Sequence, residues 1–185
     1  MKNIFRKVTS VGIGAAVGLF LTSSSFGVEG DPANLVGVKT CGICHKKDET
    51  GNQLAKWQEG PHAKAYERLG TAQAKEVGAK LGIDNPQTSP KCLKCHSTAY
   101  YFTEEVKTEK IKPEDGVTCE SCHGPGKKYM AKSTMEDHDK AVAAGMIYPA
   151  TKQCTLCHND QNPTFKGFDQ TAAVEKIAHP NPAKK

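Results

Sequence analysis

Gly116-Val-Thr-Cys119-Glu-Ser-Cys122-His123-Gly-Pro-Gly126 holds two cysteines three apart, with a histidine directly after the second. The unit recurs as Cys41-Gly-Ile-Cys44-His45, Cys92-Leu-Lys-Cys95-His96 and Cys154-Thr-Leu-Cys157-His158. Together the four units use all 8 cysteines. Cys-x-x-Cys-His is the attachment signature of a c-type haem. The two thiols add to the vinyl groups of one porphyrin as thioethers, and the adjacent imidazole lies under the iron as proximal ligand. Paired cysteines also build zinc ribbons, and a secreted chain can join eight cysteines in four disulfides. Neither explains a histidine after every second cysteine. With 7 His in 185 residues, four such placements by chance are negligible. The reading is four covalent haem c groups on the pairs Cys41/Cys44, Cys92/Cys95, Cys119/Cys122 and Cys154/Cys157, with His45, His96, His123 and His158 as proximal ligands.

Residues 1–27 read as a cleaved signal peptide and 28–185 as one tetrahaem domain. Lys2, Arg6 and Lys7 form a positive start, Val11 to Leu21 an apolar run, and Ser25-Phe26-Gly27 a small-residue cut. The apolar run is short for a bilayer, and no other segment is apolar enough to enter one. A periplasmic address suits c-type haem, which is attached outside the cytoplasm. The leader takes three of the 25 Lys and Arg, leaving 22 against 20 Asp and Glu. Eight haem propionates would more than cancel that excess. No basic run is interleaved with aromatics, so nucleic acid is not an expected partner. Aromatics make up only 6% of the chain. A core this thin needs staples, and a covalent porphyrin is both staple and core.

The expected fold is mainly α: short helices and long loops wrapped around four close-packed haems, with little or no sheet. Gly60-Pro61 opens a helix carrying His62, Tyr66 and Leu69 on one face. Thr71 to Leu81 is helical but broken at Gly78. Residues 85–90 are a loop. Ser133-Thr-Met-Glu136 has the form of a capping box, opening a helix that carries Met135, His138 and Val142 and stops near Gly145. Asp169 to Ala178 is a last helix. Residues 100–103 are the one candidate strand.

Three histidines lie outside the motifs: His62, His138 and His179. A low-potential multihaem cytochrome usually gives each iron two imidazoles, which keep it six-coordinate and low-spin. The three spare histidines are therefore candidate distal ligands, and three cannot serve four irons. One iron is left five-coordinate, or takes Met, Lys or a neighbour's side chain. Met130, Met135 and Met146 are the weaker candidates, because a helix methionine is more often core.

Trp57-Gln-Glu-Gly-Pro-His62-Ala-Lys-Ala-Tyr-Glu-Arg-Leu69 after the first motif, and Gly116 to Gly126 around the third, resemble the tetrahaem cytochrome c family of ammonia oxidisers. Members of that family accept electrons from hydroxylamine oxidoreductase, a partner not carried over to this chain. The resemblance runs from about Val38 to His179. It implies haems in close pairs, some parallel and some nearly perpendicular. It also implies a ligand scheme: His62 distal to the haem of His123, His138 to that of His45, His179 to that of His158, and an open sixth site above His96.

The expected activity is electron relay between protein donors and acceptors rather than enzymatic. Two other readings stand beside it. In one, a small ligand such as nitric oxide or nitrite is reduced at the open iron, although no motif has Lys in place of the proximal His. In the other, the chain is a subunit of a haem filament, with a neighbour supplying a ligand.

Overall fold

The structure, a computed structural model, describes residues 30–103, 108–148 and 150–182. The leader lies outside the described residues. Among those described there is no strand, and eleven short α-helices are joined by loops and 3₁₀ turns. None is long and apolar enough to cross a membrane. In order they are α1 (Val38–Gly42), α2 (Gln53–Glu59), α3 (Ala65–Arg68), α4 (Ala72–Lys80), α5 (Pro90–His96), α6 (Thr98–Tyr101), α7 (Cys119–His123), α8 (Lys132–Met135), α9 (His138–Ala143), α10 (Cys154–Cys157) and α11 (Gln170–Ile177).

Several boundaries depart from expectation for visible reasons. The helix around Trp57 precedes Gly60, and α3 starts only at Ala65. Gly60 is extended (ψ 167°) because it stands before Pro61, and the intervening His62 lies in a turn. α4 runs through Gly78, which is buried. A Cβ there would meet Pro86 Cγ at 2.9 Å and the Ile83 carbonyl at 3.0 Å, so the glycine serves close packing instead of ending the helix. The capping box at Ser133 does not form. α8 begins one residue earlier, and the Asp137 carboxylate accepts the Lys140 N–H at 3.1 Å, which starts a separate helix at His138. Residues 100–103 make no strand: Ser97 caps a helical turn by accepting from Ala99 N at 3.3 Å. α11 begins as expected, with Asp169 accepting from Ala172 N at 3.1 Å.

The buried apolar cluster is small. Leu35, Ala99 and Ile111 form it, and Tyr100 and Phe102 pack against it. Beside it lies a polar core. The hydroxyls of Thr98 and Ser121 hydrogen-bond at 2.8 Å, and Thr118 N donates to Thr98 Oγ1 at 2.7 Å. Thr98 N donates to the Gly116 carbonyl at 2.9 Å, Val117 N to the His62 carbonyl at 3.0 Å, and Trp57 Nε1 to the Val117 carbonyl at 2.8 Å. These bonds lay 116–118, the approach to the third motif, between α6 and the turn that carries His62.

Gly116 has φ +69°, and a Cβ on it would sit 2.8 Å from the carbonyl oxygens of both His62 and Ala63. Gly116→Ala therefore forces strain and pushes the His62 turn away. Its expected cost is about 1–3 kcal/mol, read as a lowered thermal or denaturant midpoint. An unchanged midpoint contradicts the packing.

Candidate haem sites

Each motif rides on about one turn of helix. The third motif is α7 from end to end, and the second fills the end of α5 behind Pro90. The fourth is α10 with His158 directly after it, where His158 N still bonds the Cys154 carbonyl at 2.9 Å. In the first, α1 carries Cys41, and His45 N bonds the Cys41 carbonyl at 3.1 Å. Positions i, i+3 and i+4 share one face of a helix. A helical turn thus aims two thiols and one imidazole to the same side, which a single porphyrin requires. All eight cysteines are free; Cys44 is exposed and the others are half-buried.

The motifs meet one another out of chain order. The thiols of Cys41 and Cys119 lie close enough to perturb each other's ionisation, and so do those of Cys95 and Cys157. Within each pair the neighbouring thiol lowers one member, Cys119 or Cys95, and together with burial raises the other, Cys41 or Cys157. Cys122 is pushed up to about 11, first by burial and then by Cys154. The spatial sequence of motifs is therefore first, third, fourth, second. Tyr101 stands at the crossing: burial raises its hydroxyl, with further contributions from Cys157, Cys122, Cys95 and Cys154. Its hydroxyl donates to Gln153 Oε1 at 3.0 Å.

The imidazoles are prepared as ligands. An iron takes a neutral ring nitrogen, and the hydrogen bond at the other nitrogen sets which one is free. His96 Nδ1 donates to the Ala65 carbonyl at 2.8 Å, and His179 Nδ1 to the Ile177 carbonyl at 2.8 Å. His45 Nδ1 lies 3.3 Å from Gln53 Oε1. Each arrangement occupies Nδ1 and leaves Nε2 as the nitrogen turned to other partners. Burial holds His62, His123 and His158 toward the neutral form, helped by the neighbours His158, His179 and His96 respectively.

Two ring pairs face each other at a telling distance. His123 and His179 have centroids 6.0 Å apart, and His62 and His158 are 6.2 Å apart. With a metal–imidazole bond of about 2.0 Å and a ring nitrogen about 1.1 Å from its centroid, two imidazoles sharing one iron stand about 6 Å apart. The resemblance implies the opposite pairing. The structure brings His62 beside His158, not His123, and His179 beside His123, not His158. The reason is local: the His62 turn is fixed to 116–118 by backbone bonds, and the chain after α11 returns to α7. His138 meets the edge of Tyr148 at 4.8 Å, and its side chain is 54% exposed. Phe168 stacks on the His158 ring at 4.4 Å with an interplanar angle of 11°. Phe168, Tyr101 and Tyr129 carry no local signal in the sequence, and only their placement marks them.

These thiol pairs and neutral imidazoles fit a covalently held haem. The comparisons agree. The family model described as "Cytochrome c554 and c-prime" matches residues 40–124. Cytochrome c-554 of Nitrosomonas europaea is 32% identical over 168 residues, which covers 82% of this chain and 69% of that protein. No solved structure gives a significant match.

The chain belongs to the cytochrome c554 family.

A mainly helical cytochrome that binds haem c and transfers electrons is what membership in the cytochrome c554 family establishes. Within it, the third motif is held rigid from behind. The Tyr129 hydroxyl donates to the carbonyls of Gly124 at 2.6 Å and His123 at 3.0 Å, tying off the end of α7. Tyr129→Phe leaves the Gly124 carbonyl without this donor, while the His123 carbonyl keeps the Ile147 N–H at 2.9 Å. The expected loss is about 1–2 kcal/mol of stability at unchanged haem content, measured by thermal unfolding of the loaded protein. A loss of haem instead would mean that Tyr129 takes part in attachment.

Proposed function

We propose that residues 28–185 form a periplasmic electron carrier with four covalent haems, exported by the leader at 1–27. The observation that carries this reading is the four Cys-x-x-Cys-His turns, packed so that thiols of motifs one and three, and of two and four, perturb one another. Bound there, haem iron supplies one-electron exchange between its ferric and ferrous forms. The chain's residues do the rest. Each cysteine pair tethers one porphyrin, and His45, His96, His123 and His158 hold the irons from below. The thiol proximities support an order of one, three, four, two for neighbouring haems, so electrons would enter or leave at the first and second motifs.

Ring geometry supports His179 as distal ligand opposite His123, and His62 opposite His158. His138 is the spare imidazole for the iron of His45. His96 keeps no partner imidazole, and its iron is the open one. Small-ligand binding there would not by itself make an enzyme, because catalysis also needs groups placed to stabilise developing charge. Redox proteins are the expected donors and acceptors.

The test is electron paramagnetic resonance of the oxidised protein and its variants, with haems assigned by nuclear magnetic resonance. The expected wild-type spectrum has three low-spin irons and one high-spin iron. His62→Ala should turn the haem of His158 high-spin, and His179→Ala that of His123, at unchanged haem content. His62→Ala acting on the haem of His123 would restore the pairing implied by resemblance. A titration of the reduced protein with carbon monoxide should bind one equivalent per four haems. No binding, with four low-spin signals, would mean a fourth ligand from Met, Lys or a neighbouring molecule.

A further inference from the structure

Glu120 lies between the two cysteines of the third motif and is 1% exposed, with no basic side chain among its hydrogen-bond partners. Its Oε1 accepts the Gly126 N–H at 2.7 Å and the Val36 N–H at 3.0 Å. Its Oε2 accepts the Gly37 N–H at 2.9 Å and shares the Val36 N–H at 3.3 Å. Every partner is a donor, which is the pattern of an ionised, acceptor-only carboxylate. Val36 and Gly37 lead directly into α1, which carries Cys41. One buried carboxylate thus ties the start of the first motif to the middle of the third.

We propose that Glu120 is a fixed buried charge that holds down the reduction potentials of the haems on Cys41/Cys44 and Cys119/Cys122. This rests on the four-haem reading above. A negative charge in a medium of low dielectric favours the ferric form over the ferrous, which carries one positive charge fewer. The charge reaches both motifs. Beyond their mutual effect and burial, it opposes ionisation of the Cys41 thiol, and it acts in the same sense at Cys119. At the Tyr129 hydroxyl it adds to burial and to Cys41. The backbone N–H groups keep the carboxylate in place without cancelling its charge, as a lysine or arginine would. Its influence falls on the first and third motifs, because the contacts to Val36, Gly37 and Gly126 hold it there. The two haems at the far end of the order one, three, four, two should feel it less. Glu120 is a positioning residue in this account: it sets a potential step along the carrier and touches no redox partner.

The experiment is a spectroelectrochemical titration of the purified four-haem protein as wild type, Glu120→Gln and Glu120→Asp. Haem content is measured first on the same samples by mass. Glu120→Gln should raise the ferrous-to-ferric ratio of two haems about tenfold at fixed potential, or about 59 mV for one electron. The other two haems should move less than about twofold. Glu120→Asp keeps the charge and should stay near wild type, although its shorter reach loosens the backbone contacts. Four unchanged potentials in Glu120→Gln, equal shifts in all four haems, or equal shifts in Gln and Asp would each overturn the proposal. Should Glu120→Gln not accumulate, reduced-minus-oxidised infrared spectra of wild type labelled with ¹³C-glutamate replace it. A carboxylate stretch that responds to reduction, and is lost in Glu120→Asp, supports the fixed charge; no such band overturns it. A protein lacking haem on the first and third motifs refutes the four-haem reading instead, and mass shows this before any titration.

Discussion

Leu35, Ala99 and Ile111 make a cluster far too small to hold together a chain of this length. Everything else in the fold follows from that shortage. Folding must offset the entropy of ordering every residue, and the apolar surface available here cannot do so alone. Covalent haem supplies the missing mass of apolar contact at the positions where the chain is tethered twice. The helices can then be short, because they need only aim cysteines and histidines and not build a large apolar interface. What the polypeptide contributes itself is polar: the Thr98–Thr118–Ser121 network and the Glu120 carboxylate, both built around the third motif. Buried polar groups are costly unless satisfied, so the bonded Thr98–Ser121 pair and Glu120 favour one arrangement, while among the described residues the buried Thr118 hydroxyl finds no partner.

The third motif is consequently the centre of the molecule. Trp57, the turn at His62, α6 and the 35–37 segment all attach to it or to the residues just before it. Its cysteines are near enough to those of the first and fourth motifs to perturb or be perturbed by them. In the proposed carrier, the four sites follow one order in the chain and another in space, which would put the two ends of the relay on different loops. Glu120 bonds to the approach of the first motif and within the third, so under the proposal the charge that secures the fold would also distinguish one half of the relay from the other.

The motifs were legible because their chemistry is local: a thiol pair and an imidazole within five residues dictate both the cofactor and the helical turn that presents it. The final helix was legible for the same reason, since Asp169 caps it from the adjacent position. What was not legible depends on contacts distant in sequence. Gly78 looks like a helix breaker until Pro86, eight residues on, is seen against it. Residues 100–103 have strand-like composition, but Ser97 turns them into a helix. Asp137 outcompetes the capping box at Ser133 by holding the Lys140 N–H. Pairing of distal histidines is the furthest from local, because it depends on where the His62 turn and the end of α11 come to rest in space. A count of spare histidines could name the candidates but not their partners.

The account stands on haem being bonded to the chain at all four motifs, as core and as cofactor. The most direct measurement is the intact mass of the exported protein under denaturing conditions, which strip any group not covalently attached. The account predicts the polypeptide without its leader plus four haems. A mass equal to the bare polypeptide, or one short of a haem, would contradict it.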